Sequence, residues 1–400
     1  MVEKLVDEKL RRFITKNSEV PTHELLLGKQ ELEGEELKLA VQQIQGRQSI
    51  KSKLPSWYQN NNIIYPIHLS LEQCSSEATA LYKSDLFSGD KLLDLTGGFG
   101  VDTYYLAQNF EQVTYVERCK ELVSIAKHNF NALGQKHISL VCSESVDYLS
   151  TLNKKFDLIY IDPARRDSGG GKLVSIADCE PNVLSIQDEL KKRTKALLVK
   201  LSPMLDLSLA LKELPQTKAV YIVSVDNECK ELLLHIDYDS VALMREPAIH
   251  CININKTGKE EFCFTQSKER DTHLIYATKL GRYLYEPNAS LLKAGAFNSV
   301  AQKEAVLKLH PNSHLYTSDE LNEEFPGRRF EVVKTYGFDK KSLRNIKKDM
   351  GKANLTIRNF PSTVAQLRKK LKLSEGGEDY LFATTLFDET KVLIKTKKCN

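Results

Sequence analysis

The chain has 400 residues, of which 41% are hydrophobic and 28% charged, so it can fill two or three hydrophobic cores and is not a disordered sequence. Its eight cysteines occur singly, without a Cys-x-x-Cys pair or a histidine at ligand spacing, and we therefore expect neither a disulfide framework nor a metal site. The charged amino terminus lacks the apolar core of a signal peptide, and no segment has the length of a membrane span. We expect a cytoplasmic protein with no membrane partner.

The hydrophobic pattern divides the chain into four regions. Residues 1–88 carry helical periodicity, and residues 89–240 alternate strand and helix patterns, which is typical of a doubly wound parallel sheet. The last two strands of that sheet, near 219–225 and 231–236, are predicted to form an antiparallel pair at its edge. Residues 241–327 predict a small connecting α+β domain, and residues 328–400 predict a further α+β domain. The predicted fold class is α/β, with a helical region before the sheet.

A glycine-rich turn follows the first predicted strand of the sheet. Asp94 ends the strand, and Thr96, Gly98 and Gly100 lie in the turn before a helix. Parallel α/β sheets bind ligands at the carboxyl ends of their strands, where glycine lets the backbone approach them. A nicotinamide-binding fingerprint would carry a third small residue where Thr103 stands, so that cofactor is the less favoured alternative. The spacing resembles motif I of the class I S-adenosylmethionine-dependent methyltransferases, which implies that the turn faces the methionine part of S-adenosylmethionine.

Two further acids end the next two predicted strands. Glu117 follows a strand at 112–116 and is suited to accept hydrogen bonds from both ribose hydroxyls. Glu144 follows a strand at 138–142, and its register makes it the candidate acceptor for the adenine amino group. Together with Asp94, these acids predict a binding site for S-adenosylmethionine.

The fourth predicted strand, residues 156–161, ends in the run Asp162-Pro163-Ala164-Arg165. This run resembles the fourth motif of methyltransferases that modify exocyclic amines of bases. There, an Asp or Asn side chain and a backbone carbonyl accept hydrogen bonds from the amino group and aim its lone pair at the methyl group. The resemblance implies that Asp162 and Pro163 form the acceptor side, with Asp162 also beside the cofactor. Arg165 replaces the usual aromatic residue and is suited to stack on a base or to bind a phosphate. The alternative is that Asp162 and Pro163 only end the strand.

A fourth motif of this kind also resembles that of the RNA uracil-C5 methyltransferases. Those enzymes need a cysteine nucleophile after the next strand, because C5 becomes reactive only after covalent attack at C6. That strand here ends in Leu201-Ser202-Pro203, without a cysteine, so we disfavour a uracil-C5 mechanism. Cys179 alone could approach the site, and we expect it to be a semi-buried structural residue. Lys200 and Ser202, at the end of that strand, are candidates for second contacts at the site, although we favour the alternative that they are polar because they lie at the surface or at the strand end.

Positive charge is concentrated near the carboxyl terminus. The formal net charge is +4, but residues 328–400 contain 18 Lys and Arg against 8 Asp and Glu, a local charge of +10 that leaves −6 for residues 1–327. The basic residues cluster in three runs, at 340–348, 368–372 and 395–398. A solvated surface would explain any single run, whereas three runs in one region favour binding to a polyanion such as RNA.

Several segments resemble a known family. The runs at 286–296, 316–319 and 364–373 resemble bacterial class I methyltransferases that carry a carboxyl-terminal THUMP-like domain. The runs at 71–79 and 227–232 resemble the branch of this family found in Bacteroidetes-type bacteria. THUMP domains proper deliver the ends of tRNA to modification enzymes, so the resemblance implies that the basic carboxyl-terminal domain binds RNA.

The sequence therefore predicts an S-adenosylmethionine-dependent methyltransferase with a Rossmann-like class I sheet, acting on a base nitrogen of structured RNA, either tRNA or rRNA. One alternative is a small-molecule or protein methyltransferase whose basic tail is incidental. A second alternative is an RNA-binding protein with a relic methyltransferase fold. The intact acids at the predicted cofactor site argue against the relic.

Overall fold

The structure of the protein is a computed structural model that describes residues 2–5, 7–28, 31–165, 175–238 and 246–399. Backbone packing divides the chain into two compact units, which comprise residues 1–220 with 230–245 and residues 221–229 with 246–400. Within the described ranges, no helix is both long enough and apolar enough to cross a membrane.

Helices occupy the described part of the chain before the sheet of the first unit. They are α1 Val2–Leu5, α2 Glu8–Lys16, α3 Thr22–Leu27, α4 Gly34–Ile50, α5 Pro55–Gln59, α6 His68–Gln73 and α7 Glu77–Ser84. Asp7 begins α2 by accepting a hydrogen bond from the Leu10 N–H at 3.1 Å, since the first N–H groups of a helix have no partner within it. Trp57 is fully buried among these helices and packs edge to face on Phe99, with 5.0 Å between ring centroids. The helical region therefore shares one hydrophobic core with residues that follow the first two strands of the sheet, among them Phe99, Val101 and Ile125.

A doubly wound sheet belongs to the first unit, except for residues 221–229 at the end of the eighth strand of the chain and the start of the ninth. Its elements are β1 Gly89–Asp94, α8 Val101–Leu106, β2 Phe110–Glu117, α9 Lys120–Ala132, β3 Ile138–Cys142, α10 Ser145–Thr151, β4 Phe156–Ile161, β5 Ala164–Arg165, β6 Cys179–Glu180, α11 Gln187–Arg193, β7 Thr194–Leu201, α12 Leu207–Glu213, β8 Thr217–Val225 and β9 Glu228–Asp237. Strands β3, β2, β1, β4 and β7 pair in parallel in this order. The chain order reverses between β1 and β4, and sheets of this kind bind ligands at that point, outside the carboxyl ends of the strands.

Strand β9 pairs antiparallel with β7 and has β8 on its other side. Leu232, Leu233 and Leu234 are fully buried along it. The two strands predicted to pair, at 219–225 and 231–236, are therefore neighbours in the sheet, and the second of them is the inner strand. A continuous run of buried leucines is what an interior strand needs, because both of its faces are covered.

The second unit contains a hairpin and a separate sheet. Its elements are β10 Ala248–Asn255, β11 Gly258–Phe264, α13 Gln266–Asp271, β12 Tyr283–Pro287, α14 Ala289–Ala294, α15 Phe297–Lys303, β13 Leu307–Lys308, β14 Tyr316–Ser318, β15 Gly327–Gly337, α16 Lys340–Asp349, β16 Asn354–Arg358, α17 Val364–Leu371, β17 Asp379–Thr385 and β18 Lys391–Lys398. Strands β10 and β11 form the antiparallel hairpin. The sheet has the order β13-β14-β12-β15-β18-β17-β16. Leu381 and Leu393 pack with α16 and α17, whereas Phe382 and Ile394 belong to the core of the opposite face, as the two-residue period of strands requires.

A buried carboxylate joins three strands of this sheet. Glu286, in β12, is 2% exposed and accepts hydrogen bonds from Arg328 of β15 and from Arg358 of β16, whose Nη2 lies 2.9 Å from Oε1. A buried charge is tolerated only when it is paired and hydrogen-bonded. Glu286 therefore stabilises the arrangement of β12, β15 and β16 as long as both arginines are present.

Candidate active site

Asp94 lies buried beneath the turn that follows β1. Its residue exposure is 1%, its Oδ1 accepts a hydrogen bond from the Thr96 N–H at 2.9 Å, and its Oδ2 accepts one from the Thr103 hydroxyl at 2.5 Å. Burial raises the pKa of Asp94 to about 7, although the hydrogen bonds from Thr103 and Thr96 oppose that shift. Asp94 therefore fixes the shape of the turn from below.

The glycines of the turn allow close packing on one side and leave the other side open. Gly100 has a φ of +89°, and a Cβ on Gly97 would lie 2.1 Å from a ring carbon of Tyr115. The Tyr115 hydroxyl donates a hydrogen bond to the Gly98 carbonyl at 2.6 Å. A Cβ on Gly98 would meet only a backbone oxygen, at 3.8 Å, so the backbone is accessible there. Sequence reasoning missed Gly97, although it directly precedes Gly98.

Glu117 lies at the carboxyl end of β2, next to the glycine turn. Its Oε2 accepts a hydrogen bond from the Gly98 N–H at 3.0 Å, and its Oε1 accepts one from the Cys119 N–H at 2.8 Å. Two backbone donors thus orient this half-buried carboxylate. The structure therefore brings together Glu117 and the turn, which were predicted separately from the sequence.

Glu144 lies further along the same edge of the sheet, at the start of α10. Its side chain is 55% exposed, and Nη1 of Arg118 lies 3.9 Å from Oε2. The same Arg118 atom lies 3.4 Å from Oε1 of Glu180 in β6. The neighbouring Ser145 hydroxyl donates a hydrogen bond to the Leu95 carbonyl at 2.6 Å, which attaches the start of α10 to the end of β1.

Asp162 follows β4 and is tied to the glycine turn. Its backbone N–H donates to the Thr96 hydroxyl at 2.7 Å, and the Thr96 N–H donates to Asp94. Thr96 thus connects the end of β1 with the end of β4. The Asp162 side chain is 33% exposed, and Pro163 beside it is buried. Asp94, Thr96 and Asp162 therefore form one connected group of residues.

Arg165 lies on β5, which pairs antiparallel with β6, so that Arg165 is opposite Cys179 and Ala164 is opposite Glu180. The side chain of Arg165 and residues 166–174 lie outside the part of the chain that the structure describes. A contact between Arg165 and a substrate therefore stays a prediction. Cys179 itself is buried, at 2% exposure.

Five charged side chains are packed together beside the end of β4. We call them the ion cluster, and they are Lys83, Asp102, Asp162, Lys200 and Glu231. Nζ of Lys200 lies 2.5 Å from Oδ2 of Asp162 and 3.7 Å from Oδ2 of Asp102. Nζ of Lys83 lies 2.7 Å and 2.8 Å from the two carboxylate oxygens of Glu231, and 3.2 Å from Oδ1 of Asp102. Two cations thus lie among three carboxylates.

Two hydroxyl groups add hydrogen bonds to the ion cluster. Those of Tyr160 and Ser75 each donate to Oδ2 of Asp102 at 2.7 Å. The Ser75 oxygen in turn accepts a hydrogen bond from Lys200 at 3.1 Å. Because buried charges need hydrogen bonds as well as ion pairs, these neutral donors help to keep Asp102 ionised.

The acids of the ion cluster differ in pKa. Burial would raise the pKa of Asp102, but Lys83, Lys200 and the two hydroxyls outweigh burial and lower it to about 2. Burial raises the pKa of Asp162, because Lys200 offsets only part of the effect, and it likewise raises the pKa of Glu231. Burial would lower the pKa of Lys200, yet the surrounding carboxylates raise it. Asp162, with 33% of its side chain exposed, is the most accessible of the three carboxylates.

Sequence reasoning missed Lys83, Asp102 and Glu231, and its expectation for Lys200 was wrong. Lys200 is 9% exposed and ion-paired, so its charge is not an accident of the strand end. A signal was present, because Lys200 and Glu231 each adjoin an apolar strand run, where a charge needs a buried partner. No comparable signal marks Lys83 on α7 or Asp102 on α8.

The edge formed by β1, β2, β3 and β4 can bind a ligand with several donor groups. It presents an accessible glycine turn and carboxylates at successive strand ends, and carboxylates accept hydrogen bonds from hydroxyl and amino groups. In the ranges that the structure describes, no three potential metal-binding side chains lie together. This strand order and these strand ends define the Rossmann-like fold of the class I methyltransferases, to which the second unit adds a separate sheet.

Comparison with known proteins identifies the family. Family models match a ferredoxin-like domain over residues 283–326 and a THUMP domain-like region over residues 327–398. The chain belongs to the same family as a protein of Porphyromonas gingivalis W83 whose crystal structure is described as a "putative methyltransferase". The two share 34% identity over 98% of this chain and 99% of that chain, with a TM-score of 0.88.

Other solved structures are less similar. An rRNA methylase from Streptococcus thermophilus has 14% identity over 44% of this chain and 97% of that chain, with a TM-score of 0.30. A SAM-dependent methyltransferase from Agrobacterium tumefaciens has 22% identity over 31% of this chain and 42% of that chain, with a TM-score of 0.24. Scores this low support no conclusion about the present chain. The comparison with curated proteins gave no match.

Proposed function

We propose that the protein is an S-adenosylmethionine-dependent methyltransferase that methylates a base nitrogen of structured RNA, either tRNA or rRNA. The observation that carries this proposal is the hydrogen bond between the Asp162 N–H and Thr96, which joins the glycine turn to the end of β4. Methyl transfer needs donor and acceptor atoms about 3–3.5 Å apart with their orbitals aligned, and a rigid link between the two sides of a site serves that need.

The strand ends fit S-adenosylmethionine, which supplies an electrophilic methyl group on its sulfonium sulfur. The accessible backbone at Gly98 suits the methionine part of such a ligand, and Gly100 allows the turn to pack closely on Phe130. Glu117 suits the ribose hydroxyls, and Glu144 suits the adenine amino group. Asp94 would contribute by holding the turn in shape from below.

Asp162 would position the acceptor amine. Lys200 binds its Oδ2, whereas its Oδ1 has no hydrogen-bond partner among the residues that the structure describes. That oxygen can accept a hydrogen bond from an exocyclic amino group, and a backbone carbonyl beside Pro163 can accept a second. A newly methylated amine carries an extra proton, which the Asp162 carboxylate can accept, becoming a neutral acid. Burial favours this uptake because it raises the pKa of Asp162. Arg165 would stack on the base or bind a phosphate.

A covalent mechanism finds no support at this site. Leu201, Ser202 and Pro203 follow one another at the end of β7, where a uracil-C5 enzyme would carry its cysteine. Cys179 is buried opposite Arg165. Methylation at nitrogen needs no nucleophile from the protein, so it agrees better with these residues than methylation at C5 does.

The second unit offers a basic surface for RNA. Arg344, Lys347 and Lys348 are exposed on α16, and we call them the α16 triad. Their spacing places them on one side of the helix, while Leu343 and Ile346 are buried on the other. Among the residues that the structure describes, no carboxylate forms an ion pair with the triad. Its charge is therefore available to phosphates.

The enzymatic part of the proposal is tested with labelled donor and total RNA from cells that lack the gene. We expect label in RNA. Label only in protein or small molecules would favour the alternative substrates, and no transfer by a folded protein would favour the relic fold. Asp162→Ala should lose turnover but keep its affinity for S-adenosylmethionine within a few fold, because Asp162 acts on the acceptor. Asp147→Ala, an exposed change on α10, is the matched control.

The RNA part of the proposal is tested by filter binding across a salt series. Affinity should fall with salt, with a log-log slope of about −0.7 per phosphate contact for single strands. Reversing the α16 triad to Glu should flatten that slope by about 2 and weaken binding to many sequences alike. Reversing the exposed Lys154 and Lys155 of the first unit controls for bulk charge. An unchanged slope would contradict RNA contact by α16. Arg368, in the basic run at 368–372, is not part of this test, because its side chain is only 21% exposed and is paired with Glu375.

A further inference from the structure

A second polar pocket lies within the first unit, between α2, α4, α9 and residues 61–65. Its volume is about 50 Å³, which is room for a group of a few heavy atoms rather than for a nucleoside. Arg11, Arg47, His128 and Tyr65 line it, and none of them belongs to the glycine turn or the ion cluster.

The Tyr65 side chain is fixed in this pocket. The Tyr65 N–H and carbonyl are both hydrogen-bonded by the Gln43 amide at 2.8 Å, so the backbone is held as if by a neighbouring strand. A Cβ on Gly46 would lie 2.6 Å from the Tyr65 Cβ, so only glycine lets α4 approach this closely. Tyr65 is 2% exposed, and its Oη interacts with the nearby Arg47 side chain but has no hydrogen-bond partner of normal geometry in the described residues. A buried hydroxyl without a partner lowers stability unless a ligand or water satisfies it.

The charged groups of the pocket carry the same sign. Arg11 donates to Asn62, a neutral partner, and His128 Nε2 lies 2.8 Å from the Asn62 carbonyl oxygen. The Arg47 guanidinium lies 4.4 Å from the centroid of the Tyr58 ring. Among the described residues, no carboxylate lines the pocket and neither arginine forms an ion pair, while Glu19 interacts electrostatically with Arg47 from outside the pocket. Two guanidinium groups beside one cavity without an acid create a positive potential that an anion would neutralise.

We propose that this pocket binds a phosphate group through Arg11, Arg47 and the Tyr65 hydroxyl. Guanidinium groups bind phosphate oxygens through paired N–H donors, and a fixed hydroxyl can supply a further donor. Burial raises the pKa of Tyr65 to about 12 even though Arg47 opposes the shift, so the hydroxyl keeps its proton and remains a donor. This site goes beyond the proposed methyl transfer and does not depend on it. The phosphate group would come either from RNA or from a free anion.

Thermal unfolding of the full chain tests the proposal, with inorganic phosphate compared against chloride at equal ionic strength. Phosphate stabilises proteins in general by exclusion from their surface, so only a difference between variants is diagnostic. The measured quantity is the phosphate concentration that produces half of the maximal increase in Tm. We expect it to rise about tenfold or more in Tyr65→Phe, and likewise in the double variant Arg11→Gln, Arg47→Gln. A tenfold change is the scale of one lost charge-assisted hydrogen bond. Arg12→Gln, exposed on α2 and outside the pocket, should match the wild type.

Tyr65→Phe separates a ligand contact from a structural role. Without phosphate it should unfold at the wild-type temperature or above it, because it removes an unsatisfied buried hydroxyl. The same phosphate dependence in the wild type and the double variant would overturn the proposal, as would a clear loss of Tm in Tyr65→Phe at unchanged phosphate affinity. Competition with one oligoribonucleotide bearing either a 5′-phosphate or a 5′-hydroxyl identifies the source. Competition by the first alone indicates an RNA end, competition by both indicates the RNA backbone, and competition by neither indicates a free anion.

Discussion

Replacing Lys200 by methionine would remove the cation that faces Asp162 while keeping most of the length of the side chain. Nζ of Lys200 and Oδ2 of Asp162 lie 2.5 Å apart. At an effective dielectric constant of about 20, unit charges about 2.5 Å apart attract each other by about 6 to 7 kcal/mol. Desolvation of the pair offsets most of this energy, and we expect a net preference of about 2 to 3 kcal/mol for the ionised form of Asp162.

The consequence is a change in the pH dependence of turnover. Burial already raises the pKa of Asp162, and Asp102 acts in the same direction, while Lys200 and the more distant Lys83 oppose them. Asp94 also carries a carboxyl group on the adjacent strand. Without Lys200 the pKa of Asp162 rises further, so fewer molecules carry the carboxylate at a given pH. A preference of about 2 to 3 kcal/mol corresponds to about 30- to 150-fold in turnover on the acidic side, and the loss should shrink as the pH rises.

The assay is turnover of Lys200→Met with labelled donor across a pH series, with calorimetry to confirm that affinity for S-adenosylmethionine stays within a few fold. Lys195→Met, an exposed change on the same strand, should leave the profile unchanged. A loss of the same size at every pH would show that Lys200 acts only on the fold. Unchanged turnover would show that it does not control the ionisation of Asp162.

Two further changes test other parts of the molecule. Glu117→Ala should weaken binding of S-adenosylmethionine by about 1 to 3 kcal/mol, which is the scale of charged hydrogen bonds left unmade. The control Glu111→Ala, an exposed change, should not weaken it. Equal affinities of the two variants in calorimetry would refute the assignment of Glu117 to the cofactor site. Glu286→Gln should lower the free energy of unfolding of the second unit by about 2 to 4 kcal/mol in urea, because its two arginines lose a buried carboxylate. The control Glu331→Gln removes an exposed ion pair and should lower the free energy of unfolding by only about 0 to 1 kcal/mol. Equal losses of stability in the two variants would refute the role of Glu286.

Much of the sheet was predictable, because local sequence marks where its strands end. Strands β1 and β4 each end in apolar residues followed by an acid and then by Gly or Pro, and parallel strands present their carboxyl ends at one edge. The proximity of Thr96 and Asp162 follows from this rule. The direction of the Asp94 side chain does not, since an acid at a strand end can lie above the turn or beneath it.

The ion cluster was not predictable from one sequence. Lys83 and Glu231 are 148 residues apart, and nothing in either local pattern indicates the other. The interior position of β9 could have been predicted, because Leu232 to Leu234 form an uninterrupted apolar run rather than the alternation of an edge strand. The prediction named the pair of strands but not which of the two lies inside.

Lys83 lies on α7, before the sheet, and pairs with two carboxylates of the ion cluster, Glu231 and Asp102. A chain shortened to begin at β1 would lack both Lys83 and Ser75. Glu231 and Asp102, whose side chains are 5% and 10% exposed, would then each lose the Lys83 cation. Deletion of the helical region would therefore destabilise β9 and α8, the elements that carry these two carboxylates. Any homologue that replaces this lysine by a neutral residue should also replace Glu231, so the two positions are expected to change together across the family.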